Sequence, residues 1–115
     1  MKVSFEGIGE SVVTFYNSAV SAATAGVTVK MSGNGEVSAC EDGNRFFGYA
    51  LACDTDFAAV QTAGYIELGY TGTAPAVGFV KLAANGAGGV KADEAGEEFL
   101  VVDVDTANKI LGLML

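Results

Sequence analysis

Hydrophobic and polar residues alternate along two stretches of the chain, residues 27–32 and residues 65–70. This period of two predicts strands with one buried face and one exposed face. Residues 46–51 and 99–102 are apolar at consecutive positions, which is typical of strands that are buried on both faces. The alanine-rich residues 55–61 are the only fair candidate for a helix. The pattern therefore predicts an all-β protein.

Two segments look like copies of one β-hairpin. VKMSGNGEVSAC begins at Val29, and VKLAANGAGGVKA begins at Val80. Each contains Asn-Gly between short strands, the strongest short-range signal for a hairpin with a type I′ turn. Gly88 and Gly89 are an insertion that lengthens the second loop or introduces a bulge. We expect the two hairpins to superpose, and the glycine-rich run to be a turn, since it lacks the spacing of a phosphate-binding Walker loop.

The length and composition bound the architecture. The chain has 115 residues, half of them hydrophobic, and is long enough for one domain with its own core. Sixteen glycines and regular turn signals favour a compact barrel or sandwich. We predict an N-terminal arm or added strand at residues 1–25 that belongs to neither copy. A barrel or sandwich body at residues 26–115 contains the repeat, at about 27–53 and 78–105.

The N-terminal segment carries large apolar side chains that the repeated body does not obviously require. These candidate partner-binding residues are Val3, Phe5, Val12, Val13, Phe15 and Tyr16. The segment either completes the sheet of its own domain or adds to the sheet edge of a neighbour. In the second case, backbone hydrogen bonds give affinity and alternate side chains give specificity.

The charge of the chain limits its partners. Six basic and fourteen acidic side chains give a net charge of -8, which repels phosphate backbones and argues against direct nucleic-acid binding. No apolar run approaches the roughly 18 residues of a membrane span, and the N-terminus lacks the apolar core of a signal peptide. We expect no membrane partner and synthesis in the cytosol.

Candidate catalytic groups are scarce. The chain has no histidine, which removes the commonest general base and metal ligand. Cys40 and Cys53 are predicted to be free thiols, because a tight turn at residues 41–44 places them far apart along the chain's strands. No base that would activate either thiol is recognisable. We therefore predict a protein that is not an enzyme and has no cofactor.

Two pairs of carboxylates have the i, i+2 spacing that places both side chains on one face of a strand. They are Asp54 with Asp56 and Asp103 with Asp105. Such pairs can coordinate calcium, but solvated acids at strand ends are commoner. Neither pair continues into the spacing of a calcium-binding loop, so we predict no metal.

The order of these segments resembles a known family. An N-terminal strand precedes a V-K-x-x-x-N-G-x-V hairpin, the FFGYAL strand, VQTAGYIELGYTG from Val60, and a second hairpin that closes on DVDTANKILGLML from Asp103. From about Gly26 onward this pattern is similar to the capsid cement, or head decoration, proteins of tailed bacteriophages. The resemblance implies a small β-rich body that binds the outside of an assembled icosahedral head and clamps neighbouring major capsid subunits.

The same resemblance implies a homo-oligomer on the capsid, with a trimer favoured, and a location on the exterior of the virion after synthesis in the host bacterial cytoplasm. On this basis we expect residues 1 to about 18 to contact a neighbouring subunit or the capsid. The alternative function is a small β-barrel accessory module that binds a ligand or peptide. Such a module should be monomeric and have a concave apolar site of about 300 Å³ or more.

Overall fold

The computed structural model of the protein describes residues 11–115, which form ten strands and no helix. The first five strands are β1 (Ser11–Asn17), β2 (Thr28–Gly33), β3 (Glu36–Ala39), β4 (Gly48–Cys53) and β5 (Phe57–Ala63). They close a barrel in the order β1-β3-β2-β4-β5, in which β1 and β3 are parallel and the other neighbours are antiparallel. No helix in the part of the chain described is long and apolar enough to cross a membrane.

The remaining strands form a second barrel. They are β6 (Tyr65–Thr71), β7 (Gly78–Ala84), β8 (Val90–Ala92), β9 (Glu97–Asp105) and β10 (Ile110–Met114). Their order is β6-β8-β7-β9-β10, again with one parallel pair, β6 and β8. The predicted all-β class is confirmed. The two predicted hairpins, β2–β3 and β7–β8, occupy equivalent places in the two barrels.

The repeat is longer than the sequence analysis proposed. Val13 of β1 pairs with Val60 of β5, and a shift of 53 positions takes this pair to Ile66 and Leu113, which pair between β6 and β10. Strand β1 therefore has the place in the first barrel that β6 has in the second. The interpretation that residues 1–25 belong to neither copy was wrong for β1, because this strand is the equivalent of β6. It pairs with β3 and β5 and so completes the sheet of its own domain, which was one of the two alternatives for the segment.

The helix candidate at residues 55–61 is also corrected, since most of it lies in β5. Ala58 and Val60 are fully buried in the barrel, whereas Phe57 is exposed and Ala59 is half-buried, which is the alternation of a strand. Strand β5 forms hydrogen-bonded ladders with both β1 and β4. These tertiary contacts outweigh the helix propensity of alanine, which is a weak preference of less than about 1 kcal/mol per residue.

The first hairpin turn is not the predicted type I′. That turn needs a positive φ at both central residues, but here Gly35 has a φ of 65° and Asn34 does not have a positive φ. The register of β2 and β3 shifts between Met31 and Gly33, as expected when one left-handed glycine is combined with a bulge. In the second hairpin the two extra glycines extend the connection to residues 85–89.

Each barrel has its own core. The first contains small and β-branched residues, namely Ala23, Val29, Val37, Ala50, Ala58 and Val60. The second is built from larger side chains, including Ile66, Leu68, Leu82, Phe99, Leu111 and Leu113. Phe46 comes from the loop between β3 and β4 of the first barrel, yet it is buried in the second core. Its ring stacks on Phe99 with centroids 4.7 Å apart and planes 12° apart.

The glycine-rich loop at residues 85–89 of the second barrel contacts the first barrel. The amide of Thr28 donates to the carbonyl oxygen of Gly88 at 3.1 Å. A Cβ on Gly88 would lie 3.2 Å from both the Gly26 carbonyl oxygen and Val27 Cγ1, which leaves room for little more than glycine. The loop 40–47 adds a second backbone contact, in which the amide of Ala84 donates to Asn44 at 2.8 Å. The glycines of this loop therefore allow the two barrels to approach each other closely.

Candidate docking face on the first barrel

The first barrel has an uncharged outer surface. Strands β1, β4 and β5 contain no Asp, Glu, Lys or Arg. They are neighbours in the barrel, because β5 pairs with β1 on one side and with β4 on the other. In a chain with a net charge of -8, three adjacent strands without a charge form an unusual region of surface.

The outward side chains of these strands are apolar or small. Val60 and Ala58 are buried in the barrel, so the residues that alternate with them point outward. We call the outward set the docking face; it consists of Val12, Thr14, Tyr16, Ala52, Phe57 and Ala59. Tyr16 is 60% exposed and Phe57 is 47% exposed. Their rings stack across the β1–β5 pair, with centroids 5.5 Å apart and planes 28° apart.

The second barrel provides an internal comparison, because its equivalent surface is acidic. The shift of 53 positions takes Thr14 to Glu67. Ala52 corresponds to Asp103, since these residues pair with the equivalent residues Ala59 and Gly112 on the next strand. One fold thus carries a neutral face in its first copy and carboxylates in its second, so the fold itself does not require the neutral face.

An aromatic side chain also covers part of the second barrel's surface. A Cβ on Gly112 would lie 2.1 Å from the Tyr65 hydroxyl oxygen, so the Tyr65 ring lies directly across this glycine. The hydroxyl donates to Glu67 Oε2 at 2.9 Å. Desolvation by burial, together with the nearby carboxylate of Glu67, raises the pKa of Tyr65 well above its usual value. The tyrosine and its acceptor therefore close the surface that is open on the first barrel.

The structure separates the six candidate partner-binding residues. Val12 and Tyr16 belong to the docking face. Val13 is also exposed but lies on the other side of β1, where it pairs with the buried Val60. Phe15 is partly buried against the first core and packs edge-on against Phe47, with centroids 5.6 Å apart, so it stabilises the barrel. Val3 and Phe5 lie outside the residues that the structure describes.

The other members of the docking face were not predicted from the sequence. Phe57 and Ala59 were missed because their segment was taken as a helix candidate, and Ala52 because a lone alanine carries no signal. A usable signal was present, however. Residues 46–53 and 57–63 are free of charge, whereas the strand of the second copy that matches β4 contains Glu97, Glu98, Asp103 and Asp105. Uncharged strands with exposed apolar positions are candidates for an interaction surface.

One member of each carboxylate pair stabilises a turn. One oxygen of Asp54 accepts hydrogen bonds from the amides of Asp56 and Phe57, at 2.9 and 2.7 Å. Asp105 accepts from the amides of the turn that follows it and from the Asn108 side chain, and these bonds lower its pKa. No group of three or more potential metal ligands occurs in residues 11–115. The geometry therefore accounts for Asp54 and Asp105 as turn-stabilising residues.

Both cysteines are free thiols in different surroundings. Cys40 packs at the edge of the second core, and burial raises its pKa to about 11, although Lys30 and a hydrogen bond with Thr28 partly oppose the shift. Cys53 packs against the first core, and its pKa is raised by burial and by the nearby Asp54 carboxylate. Neither environment favours the thiolate, which is the reactive form.

We expect Cys40 to react slowly with iodoacetamide in the folded protein at mildly alkaline pH. Its raised pKa reduces the thiolate fraction by about a hundredfold relative to a thiol with the ordinary pKa of 9.0, so we expect its rate to fall about tenfold or more below that of the unfolded chain. Peptide mass spectrometry of timed samples measures the two cysteines separately. Both should react equally fast in concentrated guanidinium chloride, and rapid native labelling of Cys40 would contradict its burial.

Comparison with known proteins adds no family. No protein-family model matches the chain, and no curated protein matches it. The features of this chain that bear on function are therefore the docking face and the contrast between the two barrels.

Proposed function

We propose that the protein is a capsid decoration protein that binds the outer surface of an assembled phage head through the docking face. There it stabilises contacts between major capsid subunits. The single observation that carries this proposal is the contrast between two barrels of the same topology, one with a neutral apolar face and one with an acidic face. The family resemblance supplies the nature of the partner.

The docking face is suited to a structural partner. Full burial of a large side chain such as Tyr16, Phe57 or Val12 contributes about 1.5 to 3 kcal/mol, from which the cost of association must be subtracted. A protein that binds the assembled shell and not its free subunits stabilises the shell by mass action, and this effect is multiplied over many copies. The proposed role needs no catalytic group, because buried interface area performs the work.

We propose a separate role for the second barrel, which carries the acidic face. With the first barrel on the shell, the second barrel and its carboxylates face solvent, where like charge on neighbouring copies discourages aggregation of decorated heads. We further propose that copies occupy the shell as a homo-oligomer, with a trimer favoured by the resemblance. The resulting location is the exterior of the virion, after synthesis in the host cytoplasm.

Co-sedimentation with shells tests the proposed function. The shells are assembled from the major capsid protein encoded beside this chain, and mature shells are compared with unassembled capsid subunits. We expect saturable binding to the assembled form and a higher melting temperature of the decorated shell. If no capsid gene accompanies this one, or if the protein stays in the supernatant at saturating shell concentration, the proposal is wrong.

A second candidate, a peptide-binding module, is favoured by one observation. A groove of about 640 Å³ lies beside Tyr16 and Phe57, which exceeds the volume of about 300 Å³ expected of a ligand site. The groove opens to solvent along its length and does not enclose a ligand. This shape suits an extended protein segment better than a small molecule, and such a segment also belongs to a shell subunit under the first proposal.

A further inference from the structure

The groove beside the docking face combines aromatic and acidic side chains. Its walls include Tyr16, Asn17, Ser18, Glu36, Asp56 and Phe57. The β1–β5 edge contributes the stacked rings, and two other segments contribute the carboxylates. An open groove with this lining is suited to a side chain that is both flat and positively charged.

Strand pairing places these groups in a row. Tyr16 of β1 is the register partner of Glu36 on β3 and of Phe57 on β5. Neighbouring strands lie about 4.8 Å apart, so Glu36, Tyr16 and Phe57 span about 10 Å across three strands. Asp56 precedes Phe57 and also lines the groove, so it adds a second carboxylate. The exposed rings therefore share one groove with two acidic side chains.

The two carboxylates have no ion-pair partner among the described residues. The ion pairs in that part of the chain join Arg45 to Glu97, and Lys91 to Asp42 and Asp93. Glu36 accepts a hydrogen bond from the Ser32 hydroxyl at 2.9 Å, and no cation of residues 11–115 pairs with it. The neighbouring turn is held by the carboxylate of Asp54 and not by that of Asp56.

The polar side chains at the floor of the groove already have hydrogen-bond partners within the chain. The side-chain amide of buried Asn17 donates to the carbonyl oxygens of Ala23 and Asp54, each at 3.0 Å, and its oxygen accepts from the amide of Ala23 at 2.8 Å. The hydroxyl of Ser18 accepts from the amides of Val20 and Ser21. Specific recognition in this groove must therefore come from the rings and the two carboxylates at its rim.

We propose that this groove binds an arginine side chain on an extended segment of the protein partner. The planar guanidinium stacks on the exposed ring of Tyr16 or Phe57 and donates hydrogen bonds to Glu36 and Asp56. Arginine fits better than lysine because an ammonium is a compact, strongly hydrated charge that does not stack. The inference extends the proposed function by naming the chemistry of the shell segment, yet the isolated chain is sufficient to test it.

A second groove provides a matched control. It has a volume of about 430 Å³ and contains Phe79, which at 72% exposure is the most exposed aromatic residue in the part of the chain described, together with Asp93, Glu94 and Glu98. This groove also contains Lys81, and Asp93 is paired with Lys91 at 3.9 Å. An exposed aromatic ring near carboxylates is thus present in both grooves, but in the second a lysine lines the groove and another lysine pairs with one of its carboxylates.

The test is an NMR titration of the isotope-labelled chain with a blocked Gly-Arg-Gly peptide. We expect amide shifts at Tyr16, Glu36 and Phe57 and weak affinity, with a dissociation constant on the order of millimolar for so small a ligand. A peptide with neutral citrulline in place of arginine should bind at least about tenfold more weakly. Maltose tests the alternative that the groove binds a carbohydrate. A Gly-Lys-Gly peptide tests the preference for a planar cation.

Variants locate the site. Glu36→Gln combined with Asp56→Asn should weaken arginine-peptide binding about tenfold or more and remove its salt dependence, whereas Phe79→Ala should leave both unchanged. Dispersed spectra verify that each variant is folded. Equal binding of the citrulline peptide, shifts only near Phe79, preferential binding of maltose or no shifts at all would each overturn the arginine site. If the protein still bound shells although the arginine site had been overturned, the proposed function would remain intact.

Discussion

The double variant Thr14→Glu with Ala52→Asp is expected to lose binding to shells by about a hundredfold or more while remaining folded. Both residues are exposed on the docking face, and the two new carboxylates would be buried without partners against the shell. Burial of an unpaired charge in an interface costs several kcal/mol, and about 2.7 kcal/mol corresponds to a hundredfold loss of affinity. Co-sedimentation measures the binding, and a melting curve measures the fold.

The design copies what the second barrel already contains. Glu67 and Asp103 are the equivalents of Thr14 and Ala52, so the fold tolerates acids at these positions. The matched control is the reverse exchange, Glu67→Thr with Asp103→Ala, which should leave shell binding within about twofold. If the first variant still binds normally, the docking face is elsewhere. If the reverse variant loses binding instead, the second barrel makes the contact.

Gly89→Ala is expected to destabilise the protein by about 3 kcal/mol or more, with a fall in the melting temperature of about 10 to 20 °C. A Cβ on this residue would lie 2.2 Å from the carbonyl oxygen of Gly69 on β6. The obstacle is backbone in a paired strand, which cannot rotate away as a side chain would. Gly89 also connects the barrels, because its carbonyl oxygen accepts a hydrogen bond from the Thr28 hydroxyl at 3.4 Å.

The control for this substitution is Gly69→Ala, on the other side of the same close contact. A Cβ there would meet only the Lys109 carbonyl oxygen, at an ordinary 3.7 Å, and the φ of Gly69 is not positive. We expect this variant to melt within a few degrees of the original protein. Thermal denaturation followed by circular dichroism compares the two. A Gly89→Ala protein as stable as Gly69→Ala would mean that β6 and β8 are farther apart in solution.

The sequence by itself determined the β class and the presence of a duplication. Alternation at residues 27–32 and 65–70 is a local property of a strand, since the pleat places successive side chains on opposite faces. The two Asn-Gly loops likewise depend on nearby residues, although the exact turn at Gly35 involves a bulge that the dipeptide does not specify. Local physics was sufficient for these features.

Tertiary structure alone decided the extent of the repeat and the position of the docking face. β1 resembles β6 too little in sequence to be matched, and its role follows from pairing with β5, more than forty residues farther along the chain. The same long-range ladder makes a strand of the alanine-rich segment that contains Phe57. It also brings that ring beside Tyr16, and the β1–β3 pairing brings Glu36 to the other side of Tyr16. Such neighbours are set by barrel closure, a non-local property that residue spacing does not encode.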